Sequence, residues 1–196
     1  MNEEFENSLV ELSEWKREHF FGKYRGIVKT VGEGDDLGYI SAIVPEVFGE
    51  IEVQRIVPAV PFAGAGHGLI ALPEAEDGVW IEFEAGKTSK PIWTGFWWTD
   101  KEMDEMPEPK GALVRAFITT AGHKLILDDK GGKVTLLHSD GAEMTMTGGD
   151  ITISIGQATI KMSDSEISLS VGSGAAGVIK ISSSGVDIGS GAVKTM

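Results

Sequence analysis

Residues 151–155 read Ile151-Thr152-Ile153-Ser154-Ile155, and this alternation of aliphatic and hydroxyl side chains recurs along the second half of the chain. Successive residues of a strand point to opposite faces, so the run sets three isoleucines on one face and two hydroxyls on the other. Working outward, the same pattern appears at Leu125/Leu127, Val134/Leu136, Met144/Met146, Ile160/Met162, Ile167/Leu169/Val171, Ile179/Ile181 and Val186/Ile188. Counted with Ile151, these groups start 9, 10, 7, 9, 7, 12 and 7 residues apart, and the longest step holds the extra Gly-Ser-Gly-Ala-Ala-Gly of 172–177. Very short strands joined by Gly, Asp and Ser corners at so brief a period predict a β-helix or a related stack.

The aliphatic ridges pose a burial problem. Each segment offers two or three such side chains, and each one left in water forgoes about 1.5–3 kcal/mol. The region supplies no helix and, of 15 aromatic residues in the protein, only Phe117 to cover them. A single-chain solenoid needs more residues per coil than two segments provide. Three identical chains wound about one axis bury the ridges in a shared core and pair strand edges between chains. The trimer is therefore preferred, with that core formed by the groups above. A membrane barrel is excluded, because its strands need about 9–11 residues and aromatic girdles.

The first half is built differently. All seven prolines and 14 aromatic residues precede position 110, and residues 1–110 carry 22 acids against 10 bases, whereas residues 111–196 carry 8 against 7. The Pro-Glu-Pro-Lys-Gly of 107–111 marks the joint. Leu9, Leu12 and Trp15 recur at helical spacing with Glu11, Glu14 and Glu18 between them, which predicts a helix over 7–18 that packs on its own domain or docks on a partner. From Tyr24 the period becomes two, with β-rich runs at 24–31, 38–44, 50–57, 67–72, 79–83 and 92–97, separated by turn sequences such as Gly-Glu-Gly-Asp-Asp at 32–36. Five or six such strands suit a small closed barrel, with the OB-fold leading and an SH3-like barrel fitting the same pattern.

Chemistry-bearing patterns are sparse. The glycines around His67, from Gly64 to Gly68, lack the Gly-Lys-Ser/Thr and the helix of a phosphate loop and read as a barrel loop. His19, His67, His123 and His138 fall in unlike segments, with no paired carboxylates or nucleophile–base spacing, so no enzyme, cofactor or metal site is expected. Cysteine is absent, and the net charge of −13 argues against a nucleic-acid groove. No secretory leader or membrane-length apolar run is evident, so assembly in the cytoplasm is expected. Trp97 and Trp98 point to opposite sides of a strand end, which leaves one indole either exposed as a contact anchor or packed under a loop.

The order of these parts resembles a known family. Tyr24-Arg25-Gly26-Ile27-Val28, Pro61-Phe62-Ala63-Gly64-Ala65-Gly66-His67-Gly68, Leu72-Pro73-Glu74, the Asp77-Gly78-Val79-Trp80-Ile81-Glu82-Phe83 run and Lys90-Pro91-Ile92-Trp93-Thr94-Gly95-Phe96-Trp97-Trp98 look like the OB domain of contractile-tail spike proteins. Thr119-Thr120-Ala121-Gly122-His123-Lys124-Leu125 resembles the hairpin leading into that family's β-helix. The family includes phage baseplate assembly protein V, the valine-glycine-repeat spike of type VI secretion and spikes of phage-tail-like injection particles.

The resemblance implies an all-β protein with a helical segment at 1–19, an OB domain at 20–106, a linker at 107–116 and an intertwined trimeric β-helix at 117–196. It implies a non-enzymatic membrane-puncturing spike in a phage virion or injection particle, docked on a separate hub, with Trp15, Trp97 and Trp98 as candidate contacts. About 20 residues precede the barrel and no histidine follows His138, so no hub domain and no apical metal are expected; a conical capping protein or effector would suit the polar end. The alternative is a trimeric fibre or adhesin that binds a glycan or peptide through its barrel.

Overall fold

The computed structural model describes residues 3–172, 177–189 and 193–195; most of the 172–177 insertion and part of the polar end therefore lie outside the described residues. The chain divides into two compact units, Met1–Glu105 and Met106–Met196.

In the first unit, helix α1 (Glu3–Glu18) starts four residues before the predicted position, because Phe5 extends the Leu9/Leu12 stripe by one i, i+4 step. Lys16 and Arg17 in its last turn complement the negative end of the helix dipole. Seven strands follow: β1 (Tyr24–Val31), β2 (Ile40–Ile43), β3 (Glu52–Pro58), β4 (Ala63–Gly64), β5 (His67–Gly68), β6 (Gly78–Phe83) and β7 (Pro91–Phe96). Five of them close a barrel in the order β1-β2-β3-β7-β6 and back to β1. All neighbours are antiparallel except β3 and β7, where Val57 registers with Ile92 and Pro58 with Trp93 in parallel. This five-stranded Greek-key closure is the OB arrangement, so the SH3-like alternative falls.

Register shifts between β1 and β2, β2 and β3, and β6 and β7 put an extra residue on β1, β3 and β7 and bend those strands enough to close so small a barrel. The alternation in Val79-Trp80-Ile81-Glu82-Phe83 works as read: Val79, Ile81 and Phe83 point inward and join Val28, Ile40, Ala42, Val44, Ile56 and Trp93 in the core. The predicted strand at 67–72 is not a barrel strand. The barrel is already closed by five edges, so His67–Gly68 can pair only with Ala63–Gly64, and residues 61–70 stand exposed.

The 32–36 turn carries a backbone constraint. The Gly32 N–H donates to the Tyr39 carbonyl at 2.8 Å, and a Cβ on Gly32 would stand 2.1 Å from the Asp36 carbonyl oxygen. The obstacle is main chain, so Gly32→Ala is expected to cost about 1–3 kcal/mol. Calorimetry should register this as a fall of several degrees in the barrel's melting temperature.

The second unit holds β8 (Val114–Ile118), β9 (Lys124–Asp128), β10 (Lys133–Leu137), β11 (Glu143–Met146), β12 (Asp150–Ile155), β13 (Ala158–Ser163), β14 (Glu166–Val171), β15 (Val178–Ser182), β16 (Gly185–Ile188) and β17 (Val193–Thr195). The sheet therefore begins at Val114, inside the span assigned to the linker. Among the described residues each strand pairs only with its neighbours in sequence, always antiparallel. The turns are tight: only Gly156 and Gln157 separate the paired Ile155 and Ala158, and Gly156 takes φ +57°, which glycine adopts without strain. Among the described residues one chain thus makes a meandering single-layer sheet rather than a closed solenoid.

Candidate functional site: the apolar face of the sheet

Cross-strand register joins the aliphatic groups into two ladders. One runs Leu127–Val134–Met146–Ile151–Met162–Ile167–Ile181–Val186, the other Leu125–Leu136–Met144–Ile153–Ile160–Leu169–Ile179–Ile188. Ile155 opens a third row with Ala158 and Val171, and Phe117 extends the second ladder onto β8. A slip of one residue anywhere would turn a strand's aliphatic set to the other face. None occurs.

Among the described residues of the second unit this face meets no second layer. None of the predicted core residues is buried, and Ile155 remains 65 % exposed. The unit's buried residues, among those described, are Ile126 and Thr135, which register with each other on the opposite face. The aliphatic face is therefore wetter than its back. Two concavities mark it: one of about 540 Å³ among Ile153, Ile155, Ile160, Leu169 and Val171, and one of about 400 Å³ among Leu136, Met144, Ile153 and Ile155.

The back of the sheet carries Thr145, Thr152, Ser154, Ser168 and Ser170 with ion pairs between strands: Lys161–Asp150 at 2.9 Å, Lys133–Glu143 at 3.3 Å and Lys180–Glu166 at 3.5 Å. Such solvated pairs contribute little stability. The hydrogen bond from Lys161 holds the Asp150 carboxyl below its ordinary range, with Thr147 adding to the effect. That contact is present at neutral pH and is lost as the pH falls through the lowered value.

The predicted tryptophans are separated by their surroundings. Trp15 lies on α1, where every residue from Phe5 to Glu18 is exposed; its ring stacks on His19 at 4.5 Å and meets Phe21 at 5.5 Å. The apolar stripe therefore does not pack on its own barrel. Trp97 is half-buried: its indole N–H donates to the Val79 carbonyl at 3.1 Å, and the Arg25 guanidinium covers its ring at 4.9 Å. Trp98 is the exposed member of the pair. Phe62, Leu69 and Ile70 form further exposed apolar surface that sequence reading did not single out, although the signal was present: apolar residues beside a glycine-rich turn with no strand to pair with.

The histidines do not all stay scattered. His123 and His138 face each other with ring centroids 4.4 Å apart, while the Nδ1 atoms of His19 and His67 stand 2.8 and 3.1 Å from the carbonyls of Trp15 and Ala65. Among the described residues no group of three or more His, Asp or Glu side chains could hold a metal ion, and no helix is long and apolar enough to cross a membrane.

The sequence model of the type VI secretion system/phage-baseplate injector OB domain matches residues 24–98. Residues 24–98 are therefore similar to that domain. The match opens on Tyr24, the first residue of β1, and closes on the exposed Trp98, two residues beyond β7. It therefore spans the complete barrel and leaves α1 and the sheet outside the match. No curated protein matches the chain.

Proposed function

We propose that this protein is the central spike of a contractile injection machine, acting as a homotrimer in which three sheets close into a three-sided shaft. The observation that carries this reading is the exposed pair of aliphatic ladders: a single-layer sheet with one apolar face is complete only when something covers that face. Three copies about a common axis turn the apolar faces of their three sheets inward and leave hydroxyls and ion pairs outward. The shaft's task is mechanical. Force delivered on contraction spreads over many backbone hydrogen bonds, and small neutral side chains keep the outer surface wettable as it meets a target membrane.

The injector OB domain supports a structural place in the baseplate. Trp15 on α1, with Trp98 and the rim of Trp97, supplies the hub contact, and the acidic excess of the first half suits a basic hub surface. The far end of the shaft carries a conical cap or an effector.

Truncation tests the reading. A chain ending at Lys110 retains the barrel but not the ladders, and light scattering is expected to find it monomeric while the intact chain is trimeric. A trimer formed by the truncated chain would place assembly in the barrel and remove the support for a shaft.

A further inference from the structure

We infer that His123 and His138 form an acid-sensitive joint in the assembled shaft; the inference rests on the trimer proposed above. His123 precedes Leu125 by two residues and His138 follows Leu136 by two, and Leu125 and Leu136 are register partners. Alternation therefore brings both imidazoles to the apolar face, directly opposite one another. They share the 400 Å³ concavity with Leu136, Met144, Ile153 and Ile155, and their centroids lie 4.4 Å apart.

Both rings accept a backbone hydrogen bond at Nδ1. The backbone N–H of Ser139 donates to His123 Nδ1 at 3.2 Å, and that of Asp140 donates to His138 Nδ1 at 3.1 Å. An accepting Nδ1 keeps its lone pair, so each neutral ring carries its proton on Nε2. Protonation would turn each Nδ1 into a donor aimed at another donor. It would also set two cations side by side on a face that assembly seals from water.

Few neighbouring groups oppose this. The β10–β11 turn brings Asp140, whose Oδ2 lies 3.6 Å from His138 Nδ1, but that carboxylate is 90 % exposed and correspondingly screened. From β11, Glu143 borders the concavity and is engaged by Lys133 at 3.3 Å. On β9, Lys124 alternates onto the opposite face, and the β8–β9 turn offers Thr119, whose hydroxyl accepts the His123 backbone N–H at 3.1 Å. β12 contributes Ile153, Ser154 and Ile155, none of them ionisable. The assembled form therefore favours uncharged rings. Its stability is lost on acidification, as the rings of the dissociated chains take up protons.

The test uses the intact chain at about pH 8 and about pH 5, with light scattering for mass and calorimetry for melting. The expected result is a trimer at pH 8 whose shaft transition falls by about 5 °C or more at pH 5. The double variant His123→Asn/His138→Asn offers an amide oxygen to each backbone N–H and cannot charge, so its shaft transition should lose this shift. A wild-type trimer indifferent to pH, or a variant that falls in parallel with it, overturns the inference alone; a monomer at pH 8 overturns the proposed assembly as well. Should the variant not fold, the ¹⁵N spectrum of the wild-type imidazoles decides. Two Nε2–H tautomers at pH 8 are expected, and an Nδ1–H tautomer at either residue overturns the inference.

Discussion

Leu169→Asp is expected to leave the protein monomeric. Leu169 occupies the middle of the second ladder, between Ile160 and Ile179, and borders the larger apolar concavity. In the proposed shaft its side chain is enclosed, so the substitution removes about 1.5–3 kcal/mol of apolar burial from each chain. It also places three carboxylates in one enclosed layer, where a charge without a partner is far more costly than a lost methyl group. These effects act together in all three copies. Light scattering should return about 21 kDa, one chain of 20.9 kDa, in place of the trimer. Ser168→Asp is the matched control, because Ser168 lies next to it in sequence but registers with Lys161 and Lys180 on the outer face. That variant should remain trimeric. A trimeric Leu169→Asp would contradict the assignment of the apolar face.

Trp93→Ala is expected to have the second large effect, confined to the barrel. Trp93 is 2 % exposed within the core cluster, and its indole N–H donates to the Gly38 carbonyl at 3.0 Å, tying β7 to the residues that lead into β2. Truncation removes the largest core side chain and leaves that carbonyl without its donor, a loss of about 3–5 kcal/mol. Calorimetry of the intact protein should show the barrel transition lowered by about 10 °C or more with the shaft transition in place. A shift in the shaft transition alone would contradict the division into two units.

The elements legible in the sequence are those whose own side chains fix their periodicity. β1 spans the predicted residues 24–31, and the Val79, Ile81, Phe83 face was readable because three inward positions alternate without interruption. The aliphatic ladders were readable for the same reason, and the pairing register then follows from the very short turns. The 67–72 run failed because strand formation also requires a free edge, and edges are a property of the closed barrel rather than of residues 67–72. The short helix at Pro45–Phe48 was missed: one helical turn is too brief for a periodic signal, and only the proline at its start hints at it. The His123–His138 contact was hidden because sequence distance separates the two by fifteen positions. The recoverable signal is that each lies two residues from one of the paired leucines Leu125 and Leu136.

Sedimentation equilibrium of the intact chain addresses the central claim most directly, since copies that cover one another's ladders must associate. Three chains of 20.9 kDa give an expected mass of about 63 kDa, unchanged on dilution through the micromolar range. A single species of about 21 kDa, folded and soluble with both ladders open to water, would contradict it.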